Sequence, residues 1–125
     1  MIIDVDRCKV NKGEADERTT NYSSIDVDET FPVIRIEFDW YISYSVRNES
    51  FTMLDEYEEF KGGIFCIYSK SRYLDFVKLS TIASDFHPEP YKHYGINALN
   101  HIIDVVSTDP PTISLIERSV QNKEK

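Results

Sequence analysis

The sequence is poor in cysteine, glycine and long apolar runs. It has two cysteines and four glycines in 125 residues. Cys8 and Cys66 have no second cysteine at a Cys-x-x-Cys spacing and no histidine at ligand spacing, which argues against a zinc ribbon or a disulfide scaffold. We interpret both as small apolar side chains in a reducing compartment. No window reaches the roughly 20 apolar residues that a membrane-spanning helix requires.

Basic residues and catalytic motifs are also scarce. The chain has 14 Lys and Arg against 22 Asp and Glu, a formal charge of −8. This balance argues against capture of nucleic acid or of an anionic membrane, because both need a basic surface. The glycines form neither a P-loop nor a dinucleotide-binding pattern, and no Gly-x-Ser-x-Gly motif is present. Nothing in the sequence therefore predicts a nucleotide-dependent enzyme or a serine hydrolase of that type.

Length and composition predict one domain over residues 1–125. The chain is 41% hydrophobic and 13% aromatic, enough to fill a core without disulfides or metals. Residues 1–6 have neither a basic leader nor a long apolar run, so we expect no signal peptide and a cytoplasmic location. Polar residues and turn formers predict a mobile loop over 11–24 and a frayed tail over 119–125.

The clearest structural pattern is alternation over residues 34–47. Apolar or aromatic side chains fill every second position: Ile34, Ile36, Phe38, Trp40, Ile42, Tyr44 and Val46. A period of two predicts one long bent strand, or two strands joined by a bulge, with Ile36, Phe38 and Trp40 buried together. Such alternation is typical of an antiparallel sheet with one open face.

The remaining chain predicts helices and strands in turn. Residues 51–61 place Met53, Leu54, Tyr57 and Phe60 on one side of an acidic amphipathic helix, which Gly62 and Gly63 would end. A second helix is expected from Ser69 or Ser71, with a core face of Tyr73, Leu74, Phe76 and Val77. Strands are predicted over an opening segment within 1–10 and over 64–68, 92–98, 101–107 and 112–116. The expected fold is α+β, mainly antiparallel sheet with one or two helices inserted after the long strand.

Three histidines raise the alternative of a metal site. His87, His93 and His101 lie close in sequence, with Asp85 or Asp104 as a carboxylate ligand. A hairpin would bring His93 and His101 together, and with Asp104 they would suit a small metal-dependent hydrolase. No HExxH or similar short-range pair fixes that geometry, so ordinary histidines are the simpler interpretation. Cys66 with His93 or His101 is a further nucleophile hypothesis, although burial in an apolar strand disfavours the thiolate.

Charge is distributed unevenly along the chain. Residues 1–60 contain 15 acids and 6 bases, whereas residues 61–125 contain 7 acids and 8 bases. One interpretation is a solvated acidic face, and the other is a surface that attracts a basic partner. The candidate partner-binding residues are Glu37, Asp39, Tyr41, Asp55, Glu56, Glu58 and Glu59.

These observations favour a non-enzymatic acidic binding protein that occludes a basic protein partner. The most concrete form is an immunity protein against a bacterial nuclease toxin, because a nuclease needs a basic cleft for its phosphate backbone. We expect no cofactor, no metal, and no direct contact with nucleic acid or membrane. The alternatives are the metal-dependent hydrolase and a nucleic-acid mimic that inhibits a DNA-binding protein. The open sheet face is also a candidate homodimer surface.

Overall fold

The computed structural model describes residues 1–12, 23–27, 29–53, 55–83 and 90–118. Two compact units are present: Met1 with Phe38–Pro111, here called the central unit, and Ile2–Glu37 with Thr112–Lys125, the terminal unit. A single domain over 1–125 stays a prediction. Of the loop expected over 11–24, Asn11 and Lys12 end one strand and Ser23 and Ser24 begin another. The rest of that loop and the tail 119–125 lie outside the described residues.

Ten strands and one α-helix are present in the described part of the chain. The strands are β1 Ile2–Val5, β2 Cys8–Lys12, β3 Ser23–Val27, β4 Val33–Glu37, β5 Ser43–Asn48, β6 Glu59–Gly62, β7 Phe65–Lys70, β8 Lys92–Asn97, β9 His101–Ser107 and β10 Thr112–Ile116. The helix is α1, Arg72–Ser80. All strand pairs are antiparallel, and the helix follows a strand, which confirms the α+β prediction. No helix in these ranges has the length and hydropathy to cross a membrane.

The terminal unit contains a three-stranded sheet in the order β1-β4-β10 and a β2-β3 hairpin. The predicted opening strand is thus split into β1 and β2, and the predicted final strand is confirmed as β10. Arg35 lies opposite Asp4 across the β1-β4 pair, and its Nε donates to Asp4 Oδ1 at 2.9 Å. The guanidinium holds the pKa of the Asp4 carboxyl below its ordinary value.

The central unit is a five-stranded sheet in the order β5-β9-β8-β7-β6 with α1 beside it. Ser71 caps α1 by accepting the Leu74 N–H at 3.0 Å, which confirms the second predicted helix. Val77 from α1 forms a buried cluster with Ala83 and Val106. Tyr73 and Leu74 pack against this cluster as expected, but Phe76 is 55% exposed, so its placement in the predicted core face is wrong.

The prediction of one continuous alternating pattern over 34–47 is wrong in its second half. Pairing ends with β4 at Glu37 and resumes with β5 at Ser43, in another sheet. Because the intervening residues leave the ladder, the alternation that buries Ile36 and Phe38 does not continue into β5. Trp40 is 44% exposed rather than buried with them, and Tyr44 and Val46 are exposed on an edge strand.

The predicted acidic helix over 51–61 is absent from the described residues. One 3-10 turn occupies Glu49–Phe51, and an irregular segment leads into β6. The reason lies in the following glycines, which turn the chain into a hairpin and pair β6 with β7. Gly62 and Gly63 therefore connect two strands instead of ending a helix, and Met53 and Phe60 are exposed rather than on a core face. Leu54 lies outside the described residues.

Gly62 gives this hairpin a direct test. Its φ of +113° lies in the left-handed region, and an added Cβ would clash with the Phe65 carbonyl oxygen and lie 2.9 Å from the Cys66 Cα. We expect Gly62→Ala to lower the free energy of unfolding by about 1–3 kcal/mol, measured by urea denaturation. Gly63→Ala is the matched control, because nothing lies within 4 Å of its added Cβ. Equal stability of the two variants would contradict the hairpin geometry.

Candidate functional site

A cavity of about 360 Å³ opens on the central unit beside the N-terminus of α1. His93 and Asp104 are its most deeply buried lining residues, and Tyr68 and Tyr73 also line it. The rest of the lining consists of charged groups, exposed apolar groups and one threonine: Arg47, Asp55, Glu58, Arg72, Phe51, Met53, Phe76 and Thr52. The cavity therefore combines a buried polar base with an apolar mouth and charges of both signs.

A continuous hydrogen-bond network forms the base of the cavity. Ser71 Oγ lies 2.7 Å from His93 Nδ1, and His93 Nε2 lies 2.7 Å from Asp104 Oδ1. Arg47 Nη1 donates to Asp104 Oδ2 at 2.9 Å. Because the Asp104 carboxylate only accepts hydrogen bonds, we assign the imidazole proton to Nε2, which donates to Asp104, and Nδ1 then accepts the Ser71 hydroxyl proton. Every polar atom of this buried network is thereby partnered.

Two aromatic rings fix the orientation of the His93 imidazole. Tyr68 stacks on it with ring centroids 4.1 Å apart, and Tyr73 meets it edge-on at 5.4 Å. Backbone pairing supports the arrangement, since Tyr68 on β7 lies directly opposite His93 on β8. The imidazole is thus held by stacking on one face, by an edge-on ring contact and by hydrogen bonds at both nitrogens.

The order Ser71, His93, Asp104 has the residue types of a hydrolase triad, but its geometry does not present a nucleophile. Ser71 is fully buried and is absent from the cavity lining. Its oxygen serves as the cap of α1. A catalytic serine must expose its oxygen to a substrate carbonyl. The network therefore supports the cavity and the start of the helix.

The predicted metal ligands are only partly brought together. His93 contacts Asp104, but His101 is exposed and lies on the opposite face of β9 from Asp104, three residues along the strand. His87 and Asp85 lie outside the described residues. Within the described ranges, no group of three or more His, Cys, Asp and Glu is arranged to hold a metal ion.

Cys66, the predicted alternative nucleophile, is buried on β7. Burial raises the pKa of its thiol, which disfavours the thiolate that nucleophilic attack requires. The same sheet face carries His93, but Cys66 approaches Asn97 instead, with Asn97 Nδ2 3.9 Å from its sulfur. Cys66 is therefore consistent with the apolar structural side chain expected from the sequence.

The acidic segment 55–59 is bound to the start of α1. Arg72 Nε donates to Asp55 Oδ2 at 2.5 Å, and the Arg72 backbone N–H donates to Glu58 Oε2 at 3.1 Å. The Tyr57 hydroxyl donates to the Asp75 carboxylate. The Arg72 guanidinium holds the pKa of the Asp55 carboxyl below its ordinary value. These contacts give an irregular segment a fixed position at the cavity mouth.

The predicted partner-binding residues consequently fall into three groups. Asp55 and Glu58 bind α1, while Glu56 and Glu59 are exposed with no ion pair among the described residues. Exposed Asp39 and Tyr41 precede β5, where the Tyr41 ring meets Tyr44 edge-on at 5.1 Å. Glu37 is exposed and ends β4 in the terminal unit.

Sequence reasoning missed the exposed apolar side chains at the cavity mouth. Phe51 is 83% and Met53 74% exposed, and both line the cavity with Phe76. Met53 and Phe76 were expected in core faces of helices. The available signal was that Phe51 and Met53 lie beside four carboxylates within nine residues, an unusual context for core side chains.

No protein-family model, curated protein or solved structure matches this chain. Its function is therefore proposed from the charge, exposure and geometry of the residues described above.

Proposed function

We propose that this protein is a non-enzymatic acidic binding protein that occludes a basic protein partner. Its docking surface consists of the described residues 51–53 and 55–59 together with Phe76, which we call the mouth surface. The most concrete partner is the nuclease domain of a bacterial toxin, for which this protein would be the immunity protein. The observation that carries the proposal is the exposure of large apolar side chains and unpaired carboxylates on one segment.

Charge supports a basic partner. The chain has a formal charge of −8, and Glu56 and Glu59 on the mouth surface are exposed without an ion pair in the described part of the chain. Unpaired acids on one side of a protein raise the rate at which a positively charged partner arrives in the correct orientation. Glu49, exposed in the adjoining 3-10 turn, extends the acidic rim.

Apolar exposure supports a protein partner rather than a small cation. Phe51, Met53 and Phe76 are more than half exposed and line one cavity. Clustered apolar side chains surrounded by polar groups are typical of interfaces, where aromatic anchors supply most of the affinity and the rim excludes water. The contacts of Asp55 and Glu58 with Arg72 hold this segment in place before binding, which reduces the entropy lost on association.

Occlusion is sufficient as a mechanism of inhibition. A nuclease holds its substrate by basic side chains on the phosphate backbone, so an acidic protein that covers those side chains excludes the substrate. This mechanism of inhibition needs no chemical step. We expect the protein to act in the cytoplasm, where the cell's own nucleic acid is exposed to such a nuclease.

Charge reversal on the mouth surface tests the proposal. The partner is first captured from the native host with the tagged full chain and identified, beginning with any toxin domain encoded immediately upstream. We expect Glu56→Lys with Glu59→Lys to slow association about tenfold, measured by stopped-flow fluorescence, because both acids contribute to the attraction. Asp55 and Glu58 are left unchanged, since reversing them would break the contacts with Arg72.

The matched control is Asp109→Lys with Glu117→Lys, which changes the net charge equally at exposed acids outside the mouth surface. We expect this variant to associate at close to the wild-type rate. An acidic or uncharged partner, or equal slowing by both double variants, would contradict the mouth surface as the docking site.

A further inference from the structure

A second cavity on the central unit has the opposite charge. It measures about 540 Å³ and is lined by residues of β6, β7, α1 and the start of β8. Three of its lining residues are Lys61, Lys78 and Lys92, and none of the described residues that line it is acidic. A concentration of ammonium groups is unexpected in a chain with a formal charge of −8.

In the described part of the chain, no carboxylate forms an ion pair with any of the three lysines. The described residues contain ion pairs of arginine and histidine with aspartate, but none that involves Lys61, Lys78 or Lys92. Positively charged side chains that line one cavity can each form a charge-assisted hydrogen bond with an anion bound there.

An independent feature of the same cavity is the hydroxyl of Tyr91. Tyr91 lines the cavity, and its hydroxyl oxygen is buried with no hydrogen-bond partner among the described residues. Its side chain packs against the cluster of Val77, Ala83 and Val106. A buried hydroxyl without a partner is costly and rare in folded proteins, and a bound group that accepts its proton would remove the cost.

The rest of the lining defines the body of the ligand. Ile67 and Leu74 provide apolar surface and Tyr68 an aromatic ring. The volume lies within the range of roughly 300–1,000 Å³ that small-molecule sites occupy. A bare inorganic anion would leave this apolar surface unused, and a nucleic-acid polymer would meet the acidic surface of the remaining chain.

We propose that this cavity binds a small organic anion with a phosphate or carboxylate group at one end and an apolar or aromatic body. The anionic group is held by Lys61, Lys78 and Lys92, and the body contacts Ile67, Leu74 and Tyr68. This site goes beyond the proposed occlusion of a basic partner and is independent of it.

Thermal unfolding and isothermal titration calorimetry of the full chain test the site at constant ionic strength. The probes are adenosine monophosphate, phenylacetate and inorganic phosphate, with uncharged adenosine as the control. We expect adenosine monophosphate or phenylacetate to raise the unfolding midpoint and to bind, with inorganic phosphate weaker and adenosine inactive. Binding of phenylacetate alone assigns a carboxylate ligand, and binding of adenosine monophosphate alone a phosphate ligand. No measurable binding of either anion, or equal binding of adenosine, would overturn the proposal.

Variants locate the binding. Lys61→Gln, Lys78→Gln and Lys92→Gln together should weaken binding of the active probe by about tenfold or more, because charge-assisted contacts are lost. All three lysines are exposed, so the fold should be retained. Lys70→Gln is the matched control, since Lys70 lies over the Tyr57 ring and not in this cavity. Unchanged binding in the triple variant would overturn the site.

Tyr91→Phe supplies a second readout. Because the hydroxyl has no partner in the described residues, its removal should leave stability unchanged or raise it, yet weaken binding of the anion. Weakened stability with unchanged binding would contradict a role for Tyr91. Association of the triple lysine variant with the basic partner should not slow, because the change makes the protein more acidic, so failure of the anion site and failure of the proposed function are separately observable.

Discussion

Replacing Asp104 with alanine is expected to lower the free energy of unfolding by about 3–5 kcal/mol. Its side chain is 2% exposed, and its two oxygens accept hydrogen bonds from His93 and Arg47. Removal leaves the buried His93 Nε2 without its acceptor and opens space beneath the cavity, two costs that add. The measurement is urea denaturation followed by the fluorescence of Trp40.

One control and one companion variant make this result specific. Asp109→Ala, at an exposed acid of the same unit, should change stability by about 0.5 kcal/mol or less. Arg47→Ala should also be destabilising, because the buried Asp104 carboxylate then stays hydrogen-bonded to His93 but loses its positively charged partner. Wild-type stability of Asp104→Ala would contradict the buried network as the support of the cavity.

Phe51→Ala is expected to weaken binding of the basic partner by about 2 kcal/mol or more, roughly thirtyfold. Phe51 is 83% exposed in the isolated protein, so its side chain contributes little to folding stability but can be buried when the partner docks. Loss of a central aromatic anchor acts on dissociation, so the variant should release the partner faster while associating at a similar rate. Surface plasmon resonance separates the two rates.

Leu79→Ala is the matched control for this experiment. Leu79 is 88% exposed on α1 but does not line the cavity. Its replacement should leave affinity nearly unchanged, and both variants should unfold at the wild-type urea concentration. Loss of affinity in Leu79→Ala together with unchanged affinity in Phe51→Ala would contradict the mouth surface and would place the docking surface on α1 around Leu79.

The parts of the fold that the sequence predicts correctly are those with local start and stop signals, such as helix caps, turn formers and prolines. α1 begins with a serine cap at Ser71, and β8, β9 and β10 lie between turn formers and prolines. The alternation over 34–47 misplaces the later side chains, because a period of two indicates which face of the sheet a side chain lies on only within one paired strand. Pairing stops at Glu37 and resumes at Ser43 in another sheet, and the alternation in the sequence does not mark this change.

The site was less accessible to sequence reasoning than the fold. Ser71 and His93 are 22 residues apart, and His93 and Asp104 are 11 apart, so their contacts depend on strand register rather than on motif spacing. The hairpin expected around 92–107 did bring His93 to Asp104. It left His101 on the other face, because Asp104 lies three positions after His101 along β9, and an odd offset places two side chains on opposite faces of a strand.

The acidic segment shows where helical periodicity failed. Four carboxylates and apolar side chains at helical spacing predict a solvated helix. In the structure, Glu59–Gly62 instead forms strand β6, because the turn at Gly62 and Gly63 pairs it with β7. Arg72 binds Asp55 and Glu58, and helical periodicity cannot predict contacts between residues this far apart in the sequence. The composition of the segment was informative about its charge, whereas its conformation depended on long-range pairing.

The most direct test of occlusion by an acidic docking surface is the association rate of the wild-type protein with its basic partner at low and high salt. The Debye length falls from about 30 Å at 0.01 M ionic strength to about 3 Å at 1 M, which screens exposed charges such as Glu56 and Glu59. We expect the association rate to fall about tenfold or more between these limits while the dissociation rate changes little. An association rate that is the same at both salt concentrations would contradict it.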